Sequence, residues 1–467
     1  MQKSKLVEVF RMLSGAEKRR FGLWVRSPFF NQQEKLVELW DYLIDHQRTA
    51  ARDYDRDRVV AALYPDASPR PTELPYLLTD LLMCLEEYLA YTGYRAQPGL
   101  AGLFLTRAYR EKKLAKHYQH ARRSTHKRLQ KKARNANYYQ LCYELEIEEF
   151  NFSQARKRVD DNNVQEMGRA LDELLLFQKL KQSCVYLAHA HVFKAEYDHS
   201  FLPQLLEYLA DSPHLQEPSI AIYYYCYRAL SEGHESDFQD FRRLLFEYQS
   251  HFASSELRDL FQLGINYCIK QVIGGVRGDV AEALALYRLG LENRFMHEQG
   301  YLRRFAYKNI VALGLHQGEY DWVEDFIQRY AAQLQPHFRR GIYNYNLAKL
   351  YYARKDFRAT FKYLAAVDES DLLLNFGAKV MQVKMYYELH EYDALEALLA
   401  SFKALLQRKK VLSYHRTHFS NIIQFTRRLL YLSPGDTEKA NGLRKDILAA
   451  EVLSERDWLL EQLDQWA

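Results

Sequence analysis

Apolar positions recur at helical spacing along most of this chain. Leu36, Leu39, Trp40, Leu43 and Ile44 follow an i, i+3, i+4 rhythm, as do Leu77, Leu78, Leu81, Leu82, Leu85, Tyr88 and Leu89. That rhythm marks one buried face of a helix. No stretch alternates apolar and polar residues between turn signals, as strands would. The 467 residues include only 19 glycines and 11 prolines, too few for the many turns of an all-β fold. The pattern predicts an all-α chain.

Helix boundaries are legible at several points. Ser14-Gly15-Ala16-Glu17 reads as a capping box, with Ser14 as N-cap and Glu17 reaching back. Ser27-Pro28-Phe29-Phe30-Asn31 breaks that helix, and Asn31 is the expected cap of the next. A proline-rich loop, Pro65 to Pro71, precedes a long helix capped by Thr72. Gln97-Pro98-Gly99 is the expected boundary between an N-terminal helical cap domain, 1–97, and a repeat array, 98–467. Terminal caps are expected of such arrays, which need a polar outer face at each end.

Two landmarks make the array periodic. A turn signature recurs at Asp237-Phe238, Gly278-Asp279-Val280, Gly318-Glu319-Tyr320, Lys355-Asp356-Phe357 and His390-Glu391-Tyr392, with its apolar residues 42, 40, 37 and 35 apart. Cys142, Cys184, Cys226 and Cys268 fall at intervals of 42, each beside or near a tyrosine. A period of that length holds two helices and two turns, the unit of a solenoid.

The segment Tyr345-Asn346-Leu347-Ala348-Lys349-Leu350-Tyr351-Tyr352-Ala353-Arg354-Lys355-Asp356-Phe357 resembles the tetratricopeptide repeat superfamily. Ala348 matches its small residue, Tyr351 its aromatic, and Asp356-Phe357 its turn. Asn309 to Tyr320 and Val380 to Tyr392 fit more loosely. Val311 and Val383 replace the small residue of the first helix, and Val323, Thr360 and Leu395 replace the alanine of the second. The resemblance covers about residues 235–410. It implies a right-handed α-solenoid of stacked antiparallel helix pairs whose concave groove binds a protein or peptide. It further implies that Asn266, Asn309 and Asn346 face that groove, where an amide can both donate to and accept from a peptide main chain. The element from Leu13 to Asn31 resembles bacterial helical-repeat proteins of no known activity.

Composition changes this picture at one place. The net charge is +5, yet Arg107 to Arg134 holds twelve Lys or Arg and one acid, Glu111, so this segment carries +11 and the rest −6. Leu114, Tyr118, Ala121, Thr125 and Leu129 form an apolar stripe within it. Lys116, Arg122, Arg123, Lys127, Arg128 and Lys131 take the other faces. A basic outer surface of this kind suits a phosphate backbone, an acidic protein or plain solvent. Tyrosine is abundant, with 36 residues, and at helical spacing aromatic rings chiefly fill the gaps between helices.

Chemistry-bearing motifs are scarce. The five cysteines form no C-x-x-C pair, so reduced, buried thiols are expected. The histidine pairs His117/His120 and His415/His418 have i, i+3 spacing without a carboxylate in register, and no metal is expected. Gly274-Gly275-Val276-Arg277-Gly278 matches no nucleotide-binding loop and reads as a turn. No G-x-S-x-G or H-E-x-x-H occurs, so no enzyme and no cofactor is expected. The longest run free of charge, Gln182 to Phe193, is 12 residues, short of the ~20 of a membrane span. With no apolar signal core at its start, a cytoplasmic location is expected. The expected function is a protein- or peptide-binding scaffold. The alternative is nucleic-acid binding through 107–134.

Overall fold

The capping box at Ser14 forms as expected. Ser14 Oγ accepts from the Glu17 amide at 3.3 Å, and a Glu17 carboxylate oxygen accepts from the Ser14 amide at 2.7 Å. In the computed structural model, residues 4–47, 56–65, 73–154, 163–193, 195–273, 279–367, 371–409, 411, 413–433 and 435–465 are described. The Pro65 to Pro71 loop from residue 66 onward, Thr72 and the Gly274 to Gly278 turn lie outside them.

The chain is all-α, with consecutive helices packed in pairs. It divides into two compact units, Met1–Leu176 and Phe177–Ala467. The first holds α1 (Lys5–Met12), α2 (Gly15–Val25), α3 (Glu34–Asp45), α4 (Arg56–Leu63), α5 (Glu73–Arg95), α6 (Pro98–Glu111), α7 (Ala115–Leu129) and α8 (Ala136–Gln154). The division falls within α9 (Val164–Phe193). The second continues with α10 (Leu202–Ala210), α11 (Pro218–Glu232), α12 (Glu235–Glu247), α13 (Ser254–Ile273), α14 (Asp279–Glu292), α15 (Arg304–His316) and α16 (Tyr320–Ala331). It ends with α17 (Pro336–Ala353), α18 (Phe357–Leu364), α19 (Leu372–Glu388), α20 (Tyr392–Arg408), α21 (Ser413–Leu430), α22 (Thr437–Ala449) and α23 (Arg456–Asp464).

In the first unit, the apolar stripes of α1 to α5 close on one core around Phe10, Phe21, Leu39, Trp40, Leu81 and Leu85. Leu103, Leu129, Leu141 and Leu145 form another. Asn31 does not cap α3. Its side-chain oxygen accepts from the Gln33 amide at 2.8 Å, while its amide nitrogen donates to Val25 O at 2.8 Å, so it ties the end of α2 to the approach of α3. Asparagine bonds readily to backbone two residues on. Pro98 is the first residue of α6 and Gln97 its N-cap, so the break between α5 and α6 is two residues long. Proline suits that first helical position because no partner is needed for its missing N–H.

The second unit repeats one motif. α11 pairs with α12, α13 with α14, α15 with α16, α17 with α18 and α19 with α20, and the first helices α15, α17, α19 and α21 also pack successively on one another. Three of these pairs share a turn. Gly318, Lys355 and His390 all take a left-handed φ, of 75°, 60° and 59°. The next amide in each case donates to the carbonyl five residues back: Glu319 to Gly314, Asp356 to Tyr351, and Glu391 to Tyr386. This is the Schellman ending of a helix. The first unit uses it too, at Lys113 (φ 56°), where Leu114 N donates to Tyr109 O.

Two landmarks shift. Asp237-Phe238 is not a turn. Gly233 supplies the left-handed residue at φ 77°, and Asp237 lies inside α12, buried against Arg228 at 3.2 Å. Cys184, Cys226 and Cys268 sit buried on α9, α11 and α13, but Cys142 is on α8, for which α9 is the next described helix. That first interval of 42 therefore does not span a helix pair. A two-residue hairpin, β1 (His297–Glu298) with β2 (Tyr301–Leu302), separates α14 from α15. Gln299 and Gly300 both have positive φ, as a tight hairpin turn of primed type requires. Among the described residues no helix is long and apolar enough to cross a membrane.

Candidate functional site

Three lysines project from successive first helices of the second unit: Lys308 on α15, Lys349 on α17 and Lys384 on α19. Lys349 and Lys384 each stand six residues before a left-handed turn residue, Lys355 and His390, so the shared turn places them at equivalent points. Lys308 Nζ and Lys349 Nζ both approach the buried Tyr345 ring, at 5.6 and 5.5 Å from its centre. An ammonium at that range is drawn to the ring face. Gly377 on α19 lets the ring lie there, because a Cβ at that position would collide with the Tyr345 hydroxyl.

The acids are fewer than the cations. Lys384 pairs with Glu455 at 2.7 Å and also lies over the rings of Tyr352 and Trp458. Asp371 is taken by Arg304 at 3.4 Å. Among the described residues neither Lys308 nor Lys349 has a carboxylate within ion-pair distance. Burial, then the charge of Lys308, then that of Lys384, push the Lys349 ammonium down to about 8, against the pull of Glu455. Burial likewise lowers Lys308, Arg304 adding to the effect and Asp371 opposing it. Burial raises Glu455, but Lys384, Lys349 and His418 outweigh it and hold the carboxyl below its usual range. His415 and His418 on α21 are both lowered, chiefly by burial. The arrangement is a half-buried cationic patch short of counter-ions. Such a patch can neutralise an anionic group.

Beside it, Glu388 is fully engaged. It accepts from Trp458 Nε1 at 2.9 Å, from the Tyr352 hydroxyl, and from Lys355 Nζ at 2.7 Å. This is a structural knot that fixes α17, α19 and α23.

The three asparagines have three different environments. Asn309 donates to the Tyr287 hydroxyl at 2.9 Å, linking α15 to α14. Asn266 accepts from Gln262 Nε2, one turn back on its own helix, at 3.0 Å. Asn346 is fully buried, and its amide donates to Ile342 O at 2.7 Å on its own helix, while its oxygen has no partner. Asn309 and Asn346 are each nine residues before a left-handed turn residue and lie beside Lys308 and one turn from Lys349. The lysines were passed over in the sequence because lysine in an apolar helix reads as a solvent-facing residue. For Lys349 and Lys384 the repeat at six residues before the turn was the available signal; Lys308, ten residues before Gly318, falls outside it.

In the first unit the basic segment sorts into two groups. Arg107 and Arg110 each reach a carboxylate oxygen of the buried Glu148 at 2.7 Å, and Arg122 reaches Glu146 and Glu149 at 3.1 Å. Lys116, Arg123, Lys127, Arg128 and Lys131 are exposed, with no carboxylate within ion-pair distance among the described residues. Tyr118, Ala121, Thr125 and Leu129 form the buried stripe of α7, but Leu114 is 42% exposed. It ends the turn before the helix, which swings its side chain out of the stripe.

Among the described residues no group of three or more His, Cys, Asp or Glu is placed to hold a metal ion. The fold thus defines an all-helical protein of sequentially paired helices. No family model, no curated protein and no solved structure matches this chain.

Proposed function

We propose that this protein is a partner-binding scaffold, and that its second unit grips an acidic segment of a protein or peptide along the first helices α15, α17 and α19. The observation that carries this reading is the pair Lys308 and Lys349, two half-buried amines over one tyrosine ring with no carboxylate within ion-pair distance among the described residues. Leaving a charge partly desolvated and unpaired destabilises a fold. A ligand carboxylate would complete the patch. In this reading the helix pairs follow the right-handed course of a tetratricopeptide-like solenoid, with Asn309 flanking the acidic segment and the buried Asn346 beneath it.

Zero-length carbodiimide cross-linking in native lysate tests the proposal, because it joins an amine only to a carboxylate in contact with it. The expected result is a partner peptide attached through Asp or Glu to Lys308 or Lys349. Lys308→Ala with Lys349→Ala should lose the partner without lowering the thermal transition. A partner retained by that double variant would refute the proposal.

A further inference from the structure

Eight cations between residues 112 and 132 are left facing solvent. Lys112, Lys113, Lys116, Arg123, Lys127, Arg128, Lys131 and Lys132 are all exposed, and among the described residues none has a carboxylate within ion-pair distance. The three arginines nearest the core, Arg107, Arg110 and Arg122, are tied to Glu146, Glu148 and Glu149 of α8. Internal pairing therefore accounts for part of the +11 of this segment, and the remainder lies on α7 and its flanking turns.

We propose that this face of the first unit docks the phosphate backbone of nucleic acid, independent of base sequence. The make-up of the face decides among polyanions. A helix that settles on a membrane surface needs an exposed apolar face, but Tyr118, Ala121, Thr125 and Leu129 of α7 are all buried within the unit. A protein interface needs buried aromatic or aliphatic anchors at its centre and is depleted in lysine. From Glu111 to Lys132 the one large apolar side chain exposed is Leu114, at the edge of the face. Phosphates ask only for cations.

Spacing points the same way. Lys116, Arg123, Lys127 and Lys131, with His120 between the first two, follow one stripe at intervals of three or four residues. Each step rises about 5–6 Å along a helix, comparable to the separation of phosphates along a strand. Glu111 is the one acid in the stretch, and it lies at the far end beside Arg110. The proposal concerns the first unit alone and stands apart from the lysine patch of the second.

Fluorescence anisotropy of a labelled 20-nucleotide RNA, and of a 20-base-pair DNA duplex, is measured from 50 to 300 mM KCl. Engagement of about five phosphates predicts a slope of log K against log salt of about −3.5 to −4.5. Lys116→Glu, Arg123→Glu, Lys127→Glu and Lys131→Glu together should weaken binding at least 100-fold. Arg358→Glu, Lys403→Glu, Lys409→Glu and Lys445→Glu make the same change of charge on exposed sites of the second unit and should leave it within about threefold. The double variant Lys308→Ala, Lys349→Ala should bind the RNA as the parent does, so failure of the scaffold reading is separable from failure of this one. Absence of binding at 50 mM KCl, equal loss in the two quadruple variants, or tighter capture of polyglutamate or of phosphatidylserine vesicles than of either nucleic acid would overturn it.

Discussion

Replacing Lys349 by methionine should stabilise the protein at neutral pH and weaken it as a binder. Methionine keeps an unbranched stem against the Tyr345 ring and removes the ammonium. The size of the effect follows from linkage. The lysine titrates at about 8 in the native state against 10.5 for the free side chain. At about 1.4 kcal/mol per pH unit, the shift corresponds to at most about 3 kcal/mol. The sign is fixed by which state holds the proton. At pH 7 both states are charged and the native state bears the whole penalty. Between pH 8 and 10.5 the native state sheds its proton while the unfolded chain keeps it, so the parent gains stability as pH rises through that window. Lys349→Met should therefore raise the thermal transition of the second unit by several degrees at pH 7, with the gap narrowing towards pH 10. Glu455 keeps Lys384 as its partner at 2.7 Å, so no new unpaired acid results. Calorimetry of both proteins at pH 7 and pH 10 gives the answer. A lower transition for the variant at pH 7, or a difference that does not change with pH, would refute the reasoning that this amine is buried without a counter-ion.

Four further outcomes follow from the packing. Glu148→Ala removes the buried carboxylate shared by Arg107 and Arg110 and should destabilise the first unit by about 2 kcal/mol in urea unfolding, less than a fully buried pair because both arginines reach solvent. Gly102→Ala drives a Cβ into Thr125 across the close crossing of α6 and α7 and should cost about 2 kcal/mol. Asn346→Leu removes a buried, unpartnered oxygen at similar volume and should be neutral or stabilising by thermal shift. Ellman's reagent at pH 8 should label the native thiols slowly and all five after denaturation, since four are buried and burial, the largest effect on Cys142, pushes its thiol up to about 11.

The parts of the fold legible in the sequence were those set by contacts a few residues long. The Ser14–Glu17 box and the turns at Gly318, Lys355 and His390 are closed by bonds within six residues, so local composition carries them. The turn at Lys113 has the same bonds, but Leu114-Ala115 follows it where the others have an acidic residue and an aromatic. No residue preference announces it. Asp237-Phe238 misled because an acidic-aromatic pair is equally at home one turn inside a helix, where Asp237 meets Arg228. The hairpin at 297–302 escaped because strands of two residues have no measurable period, although Gln299-Gly300 carried a turn signal.

The candidate site was less legible, for a reason that bears on what it does. Amphipathic patterning assigns lysine to the solvent side and asparagine to a groove or a helix contact by position alone. It cannot say whether a counter-ion or an amide partner waits across the gap, since that depends on residues far along the chain, 36 away for Tyr352–Glu388 and 71 for Lys384–Glu455. A structural role predicts that long side chains in such places find partners, as Lys181 does with the buried Glu256 at 2.7 Å. Arg107 and Arg110 do the same with Glu148. Lys179 and Lys379 are likewise half-buried with no carboxylate within ion-pair distance among the described residues; Lys308 and Lys349 differ in converging on one buried ring with their ammonium groups lowered by burial. On the proposed reading, two desolvated amines converging on one ring are a place kept for a ligand's charge. Lys349→Met is informative for the same reason: stability gained together with binding lost is the expected signature of a residue retained for recognition.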